Sequence, residues 1–151
     1  MYTTDTTTFI NGWHKLYVPE TFPDFWVWIK ELFDEGKLLA IRNVREELER
    51  HDDGLLKWCK ENKIPFVPVS ESIEALAADI RKTHPKLLKK ARVDTEADPY
   101  IIAHAIEGDL IVITEEQPGK VRIPAVCKYY QVECINLREF MLRERVKFFR
   151  R

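Results

Sequence analysis

Residues 110–116 read LIVITEE. Leu110, Ile111, Val112, Ile113 and Thr114 form the clearest strand in the chain. The run does not alternate apolar with polar residues, as a strand wetted on one face does. An unbroken β-branched run fits a strand covered on both faces, the usual state of strands in a parallel sheet between helix layers. Glu115 and Glu116 follow it at once. In open α/β sheets, ligands bind beyond the carboxyl ends of the strands. The residues after each strand therefore carry the functional question.

Upstream, Pro99–Glu107 reads as a helix with Asp98 as its cap, Pro99 at its first position and Gly108 as its stop. Ser70–Thr83 is a helix with Ile73, Leu76, Ala77 and Ile80 on one face, and Lys86–Asp94 is a basic connection. Phe66–Val69 is a strand candidate, placed at a sheet edge because Pro65 and Pro68 lack amide donors. Leu55–Asn62 is helical after an Asp52-Asp53-Gly54 turn, Val44–Arg50 is helical, and Leu38–Ile41 is a strand. Phe22–Gly36 is an amphipathic helix whose Phe25, Trp26, Ile29, Leu32 and Phe33 recur at three- and four-residue spacings, with Gly36 as its stop. Thr6–Leu16 is helical until Pro19 interrupts, and Met1–Thr4 is a first strand ending at Asp5. Downstream come a helix at Ile123–Gln131, a strand at Val132–Ile135 and a helix at Asn136–Arg145, where Asn136 and Glu139 suit a capping box. Strand and helix alternate throughout, which predicts an α/β domain with a parallel sheet. The length of 151 residues suits one domain, residues 1–151.

Hydrophobic residues make up 45 % of the chain and the formal net charge is -1, which excludes a disordered polyelectrolyte. Cys59, Cys127 and Cys134 are odd in number and not closely paired, so buried free thiols are expected, not a disulfide framework. The four histidines are scattered and no CxxC or HxxxH occurs, which argues against structural zinc. The opening MYTTDTTTF lacks the pattern of a signal peptide, and no apolar run is long enough to span a bilayer. A cytoplasmic protein with no membrane partner is expected.

Each predicted element that approaches the carboxyl end of the sheet brings an acid. Asp5 follows the first strand, Glu46 and Glu47 lie in the helix after the second, Asp98 begins the helix leading into LIVIT, and Glu115 and Glu116 close it. Taken singly, Asp98 also reads as a simple cap, the glutamates as solvated helix or turn residues, and Asp5 as a turn former. Taken together, they repel one another unless a cation neutralises them. Hard divalent ions prefer such oxygen ligands, and can polarise a phosphodiester and activate water.

These segments resemble the PIN-domain family. The family's opening Asp-x-Ser/Thr is similar to DTTTF at Asp5–Phe9, its Glu-Leu helix to REEL at Arg45–Leu48, its Asp-led helix to ADPYIIAHA at Ala97–Ala105, its Thr-x-Asp strand end to LIVITEE, and its closing strand and helix to VECINLREF at Val132–Phe140. The likeness covers nearly the whole chain in order. It implies a three-layer α/β/α fold with four to five parallel strands. It also implies a Mg2+- or Mn2+-dependent ribonuclease, many of whose relatives are toxins of toxin–antitoxin pairs. Asp5, Glu47, Asp98 and Glu116 align with the catalytic acids. Asp5, Asp98 and Glu116 would hold metal, with Thr7, Thr114 and Glu115 in support. Two positions depart from the family pattern: Thr7 stands where Ser is common, and Glu116 where Asp is usual, which leaves Glu115 as an alternative ligand. The first strand, YTTD, is polar for a sheet centre. A degenerate binding or regulatory domain, or a nuclease acting on DNA, are the alternatives.

An RNA substrate would need cations. Arg81, Lys82, Lys86, Lys89, Lys90 and Arg92 form an acid-free stretch. The closing Arg143, Arg145, Lys147, Arg150 and Arg151 interleave with Phe148 and Phe149, which could stack on bases. Trp13, Trp26, Trp28 and Phe33 exceed what one helix face buries, and Trp28 falls off that face. An exposed Trp28 would suit a homodimer or an antitoxin partner.

Overall fold

Tyr2–Thr4 forms the first strand, β1, and pairs on both sides with parallel neighbours. The computed structural model describes residues 1–51, 53–89, 96–116 and 122–150. The sheet runs β2 (Leu38–Leu39), β1, β3 (Ile111–Ile113), β4 (Cys134–Ile135), all parallel. β1 and β3, the two central strands, are the elements that deliver Asp5 and Glu115–Glu116.

Helices cover both faces. They are α1 (Thr6–Asn11), α2 (Pro23–Asp34), α3 (Arg42–His51), α4 (Asp53–Glu61), α5 (Glu71–Thr83), α6 (Asp98–Gly108), α7 (Ile123–Tyr129) and α8 (Leu137–Glu144). A π-helical turn, Gly12–Leu16, extends α1, and a 3-10 turn, Pro85–Lys89, follows α5. Successive side chains of a strand point to opposite faces, and β1 illustrates the result. The Tyr2 ring meets Phe140 of α8 edge-on at 4.7 Å, whereas the Thr3 hydroxyl lies 3.2 Å from His104 Nδ1 of α6. The polar strand survives at the sheet centre because its hydroxyls have partners. Thr4 Oγ1 donates to Asp5 O, and Tyr2 OH donates to Glu144. A buried hydroxyl costs free energy only while it is unsatisfied.

Several expectations change in detail. Phe66–Val69 is not a strand but a single parallel bridge between Val67 and Ile41. Val67 donates to Ala40 O and accepts from Arg42 N, while Pro65 and Pro68 on either side have no donors to extend the ladder. Gly54 lies inside α4 and not in a turn before it. Gly108 does not take the left-handed stop; Asp109 does, at φ 52°, and a Cβ on Gly108 would meet Leu110 Cγ at 3.1 Å. Gly36, at φ 71°, does follow α2 in the left-handed conformation. Asn136 caps α8 as expected, accepting from Glu139 N at 2.9 Å.

Trp28 is half-buried and not an open aromatic. It packs against Phe25, Phe140 and Phe148 at ring separations of 5.8, 5.2 and 6.0 Å. Phe148 thus covers a tryptophan, a use the sequence does not disclose. Phe149 remains 75 % exposed. All three cysteines are free thiols.

Candidate active site

Asp5 leaves β1 and becomes the N-cap of α1. Its Oδ1 accepts from Thr8 N at 2.8 Å, which satisfies one of the open amides of that helix start. Its Oδ2 accepts from Thr114 Oγ1 at 2.5 Å, across the gap between β1 and β3. The residue is only 2 % exposed. Burial disfavours its charged form and pushes the carboxyl up to about 6. Hydrogen bonds from Thr114 and Thr8 pull it down, and the nearby Glu116 charge pushes it up again.

Glu47 is fully buried, on the face of α3 that also carries Val44 and Leu48. A charged side chain there requires partners. Thr6 Oγ1 donates to its Oε1, and Ala97 N approaches its Oε2 at 3.5 Å. Glu47 therefore links the residue after Asp5 to the residue before Asp98. Glu46, its neighbour, faces outward and pairs with Arg42.

Asp98 is 5 % exposed and is the first helical residue of α6; the N-cap is Ala97, not Asp98 as the sequence suggested. The helix starts one residue early because Ala97 already has near-helical dihedrals, φ -75° and ψ -20°. Pro99 then occupies a first-turn position where no amide is required.

The two glutamates after β3 go different ways. Glu115 accepts from Leu137 N at 2.7 Å, and its own amide donates to Thr8 Oγ1 at 2.7 Å, which ties it to the start of α8 and to α1. Glu116 donates its amide to Thr114 Oγ1 at 3.1 Å, and its carboxylate acts on Asp5 through space. Its side chain is 12 % exposed, with Arg122 Nη1 at 3.8 Å. Thr114 thus contacts both Asp5 and Glu116.

These links bring Asp5, Glu47, Asp98 and Glu116 to one end of the sheet. Thr7 is half-buried; beside it Thr6 Oγ1 donates to Glu47, Thr8 N donates to Asp5, and Thr8 Oγ1 accepts from Glu115 N, so Thr6 and Thr8 join the site without having stood out in the sequence. One signal was available: an Asp at an N-cap selects the amide three residues on, which is Thr8. Among the described residues, no three His, Cys, Asp or Glu side chains converge closely enough to hold an ion as placed. The donor chemistry nevertheless suits a hard cation. The oxygens are carboxylates, Asp5 is buried against its own charge, and each oxygen that accepts one hydrogen bond keeps a further lone pair. Cys127 is no rival ligand, since a hydrogen bond with Cys134 and burial both push its thiol upward, away from thiolate.

The expected basic stretch is partly committed elsewhere. Arg81 lies 3.7 Å from Glu74 and 5.2 Å above the Tyr100 ring. Lys82 and Lys86 are exposed; Lys90, Arg92 and the side chain of Lys89 lie outside the described residues. In the closing segment, Arg143 belongs to α8 and pairs with Glu133 at 2.6 Å, and Arg151 lies outside the described residues. Among the described residues no helix is long and apolar enough to cross a membrane.

No curated protein matches the chain. Among solved structures it is similar to FitAcB from Neisseria gonorrhoeae, with TM-score 0.52 and 21 % identity, over 90 % of this chain and 97 % of that one. It also aligns with VapBC2 from Rickettsia felis bound to a DNA fragment from their promoter, with TM-score 0.49 and 12 % identity, over 89 % and 97 % of the two chains. The first likeness speaks to fold, and the fold is the PIN-like α/β/α arrangement around four parallel strands. Residues 2–148 match one family model, and the chain belongs to that family, described as Domain of unknown function (DUF4411).

Proposed function

We propose that residues 1–151 act as one metal-dependent endoribonuclease domain, the toxin of a toxin–antitoxin pair working in the cytoplasm. The observation that carries this reading is Asp5: a carboxylate buried at the end of a central strand, beside Glu116, at a cost in free energy that a cation would relieve. The fold shared with FitAcB adds support for a toxin–antitoxin context.

On this reading Asp5, Asp98 and Glu116 hold Mg2+ or Mn2+, and Glu47 completes the catalytic set. The bound ion would polarise the phosphodiester and lower the pKa of an attacking water. The protein's part is to fix the ligands beforehand. Thr8 N and Thr114 Oγ1 hold the two Asp5 oxygens, so that carboxylate has little rotational freedom. Glu47 ties α1 to the start of α6, which sets the spacing of Asp5 and Asp98. Glu115 positions α8 and supports Thr8. Arg81, Lys82, Lys86, Lys89, Lys90 and Arg92 are proposed to guide RNA by its phosphates. An antitoxin, or a second copy of the chain, would cover exposed apolar surface near Val27 and Phe149.

The test is Asp5→Asn and Asp98→Asn, assayed on single-stranded RNA with Mn2+. Each is expected to lower cleavage by at least ~100-fold, the scale on which single catalytic contacts act. Divalent-dependent cleavage that survives both substitutions would defeat the assignment. The same assay on single-stranded DNA separates the substrates, which differ at the 2′-hydroxyl.

A second reading, a degenerate binding or regulatory domain, draws support from the carboxylates of the described residues, among which no three converge on one point. Metal decides between them. An assembled site is stabilised by its ligand, so Mn2+ raises the melting temperature, whereas a degenerate domain shows no rise.

A further inference from the structure

We infer that Arg122 is a phosphate-binding residue at the mouth of the carboxylate site, contacting the RNA backbone next to the bond that is cut. The inference rests on the ribonuclease reading and adds a residue to it. The sequence did not single out Arg122, which lies outside both basic stretches.

Three observations carry it. First, the Arg122 Nη1 lies 3.8 Å from Glu116 Oε1, which places a guanidinium beside an acid that acts electrostatically on Asp5. Second, the pair is asymmetric: the Glu116 side chain is 12 % exposed and the Arg122 side chain 49 %. The acid is held inward while the arginine reaches solvent. At that length and exposure the contact is weak and open to exchange. Third, Arg122 is the N-cap of α7 with extended dihedrals and makes no side-chain capping bond, so local structure does not require its side chain.

The chemistry follows from geometry. A planar guanidinium presents paired donors that match two phosphate oxygens, and it keeps its charge at any working pH. Arg81 also faces an acid, Glu74 at 3.7 Å, and has the Tyr100 ring at 5.2 Å as a further contact. Glu116 cannot serve a cation and Arg122 with the same oxygen at full strength. Occupation of the acid therefore frees the guanidinium for a phosphate. Arg122 is thus a counter-charge to Glu116 and, once a cation takes that acid, a substrate contact.

The experiment uses the full chain carrying Asp98→Asn, to prevent cleavage, and a labelled single-stranded RNA whose affinity is measured over a range of salt. Arg122→Ala is expected to weaken binding several-fold and to reduce the salt slope by about 0.7, the value for one lost phosphate contact on a single strand. Arg122→Lys should restore the slope and only part of the affinity. Lys37→Ala is the control: Lys37 precedes β2, at the opposite end of the sheet from Asp5, and should change neither quantity. With Asp98 intact, Arg122→Ala should also tighten Mn2+ binding, read as a larger rise in melting temperature, because a competing cation has gone. RNA binding by the parent chain with an unchanged slope in Arg122→Ala overturns this inference alone. Absence of any Mn2+ effect in the wild type overturns the metal reading instead, and absence of RNA binding by the parent chain overturns the ribonuclease reading and this inference with it.

Discussion

The carboxyl end of the sheet and the aromatic layer beside α2 are both buried, and they are buried for opposite reasons. Around α2, Phe9, Trp26 and Phe33 stack, with Trp13 and Trp58 edge-on or tilted against Trp26 and each other. The Trp26 indole N–H reaches Tyr17 O at 2.6 Å, so even its polar atom is satisfied. Burial there stabilises the chain with each ring covered. At the sheet end, Asp5 and Glu47 are as well hidden as any tryptophan, and there burial costs free energy that hydrogen bonds only partly offset. One region holds the fold together, and the other holds buried carboxylates at the sheet end.

That contrast can be broken by substitution. The largest expected effect is Trp26→Ala, which removes a 4 % exposed ring packed against Phe9, Trp13, Phe25 and Trp58 and should destabilise by about 3–5 kcal/mol in urea denaturation. A loss below ~1 kcal/mol would mean that the layer does not carry the stability assigned to it.

Asp5→Asn should act in the other direction. With EDTA present, we expect the variant to be more stable than wild type at pH 8 by about 2–3 kcal/mol, from a carboxyl pushed up to about 6 against its ordinary 3.8. The sign follows from proton binding. A carboxyl raised in the folded state binds its proton more tightly there, so its stabilising contribution is complete below about pH 4 and is lost as pH rises through about 6. The advantage of the variant should therefore vanish near pH 4. Added Mn2+ should raise the wild-type melting temperature and leave the variant unmoved. A variant less stable than wild type at pH 8 in EDTA would show that Asp5 bears no buried-charge cost.

The smallest effect is expected for Phe148→Ala. Phe148 is 44 % exposed and touches Phe25 and Trp28. Its loss should cost about 1 kcal/mol and brighten or shift Trp28 fluorescence as that ring meets water. RNA affinity should stay constant; a fall would return Phe148 to the base-stacking role its place between cations suggested.

Much of this was legible in the chain. LIVIT, the apolar spacing of α2 and the alternation of strand with helix arise from local periodicity, and they gave the layers and the parallel sheet. Asp5 and Asp98 stood out because an acid at a strand end or a helix start is conspicuous. Three things were less legible. The edge segment shrank to one bridge at Val67 because two prolines remove donors on both sides. Trp28 found cover from α8 and the closing segment, which no helical wheel of α2 reveals. Asp109, not Gly108, took the left-handed turn after α6.

The sequence alone determined the order of elements and which of them carry acids, because hydrophobic period and capping chemistry act over a few residues. Only the tertiary structure decided what each carboxylate does. Glu115 and Glu116 are adjacent and chemically alike, yet one accepts from Leu137 N while the other acts on Asp5. Thr6 reaches Glu47 across 41 positions, and Thr114 reaches Asp5 across 109. A buried charge takes its character from its partners, and here those partners come from strands and helices that only the folded sheet brings side by side.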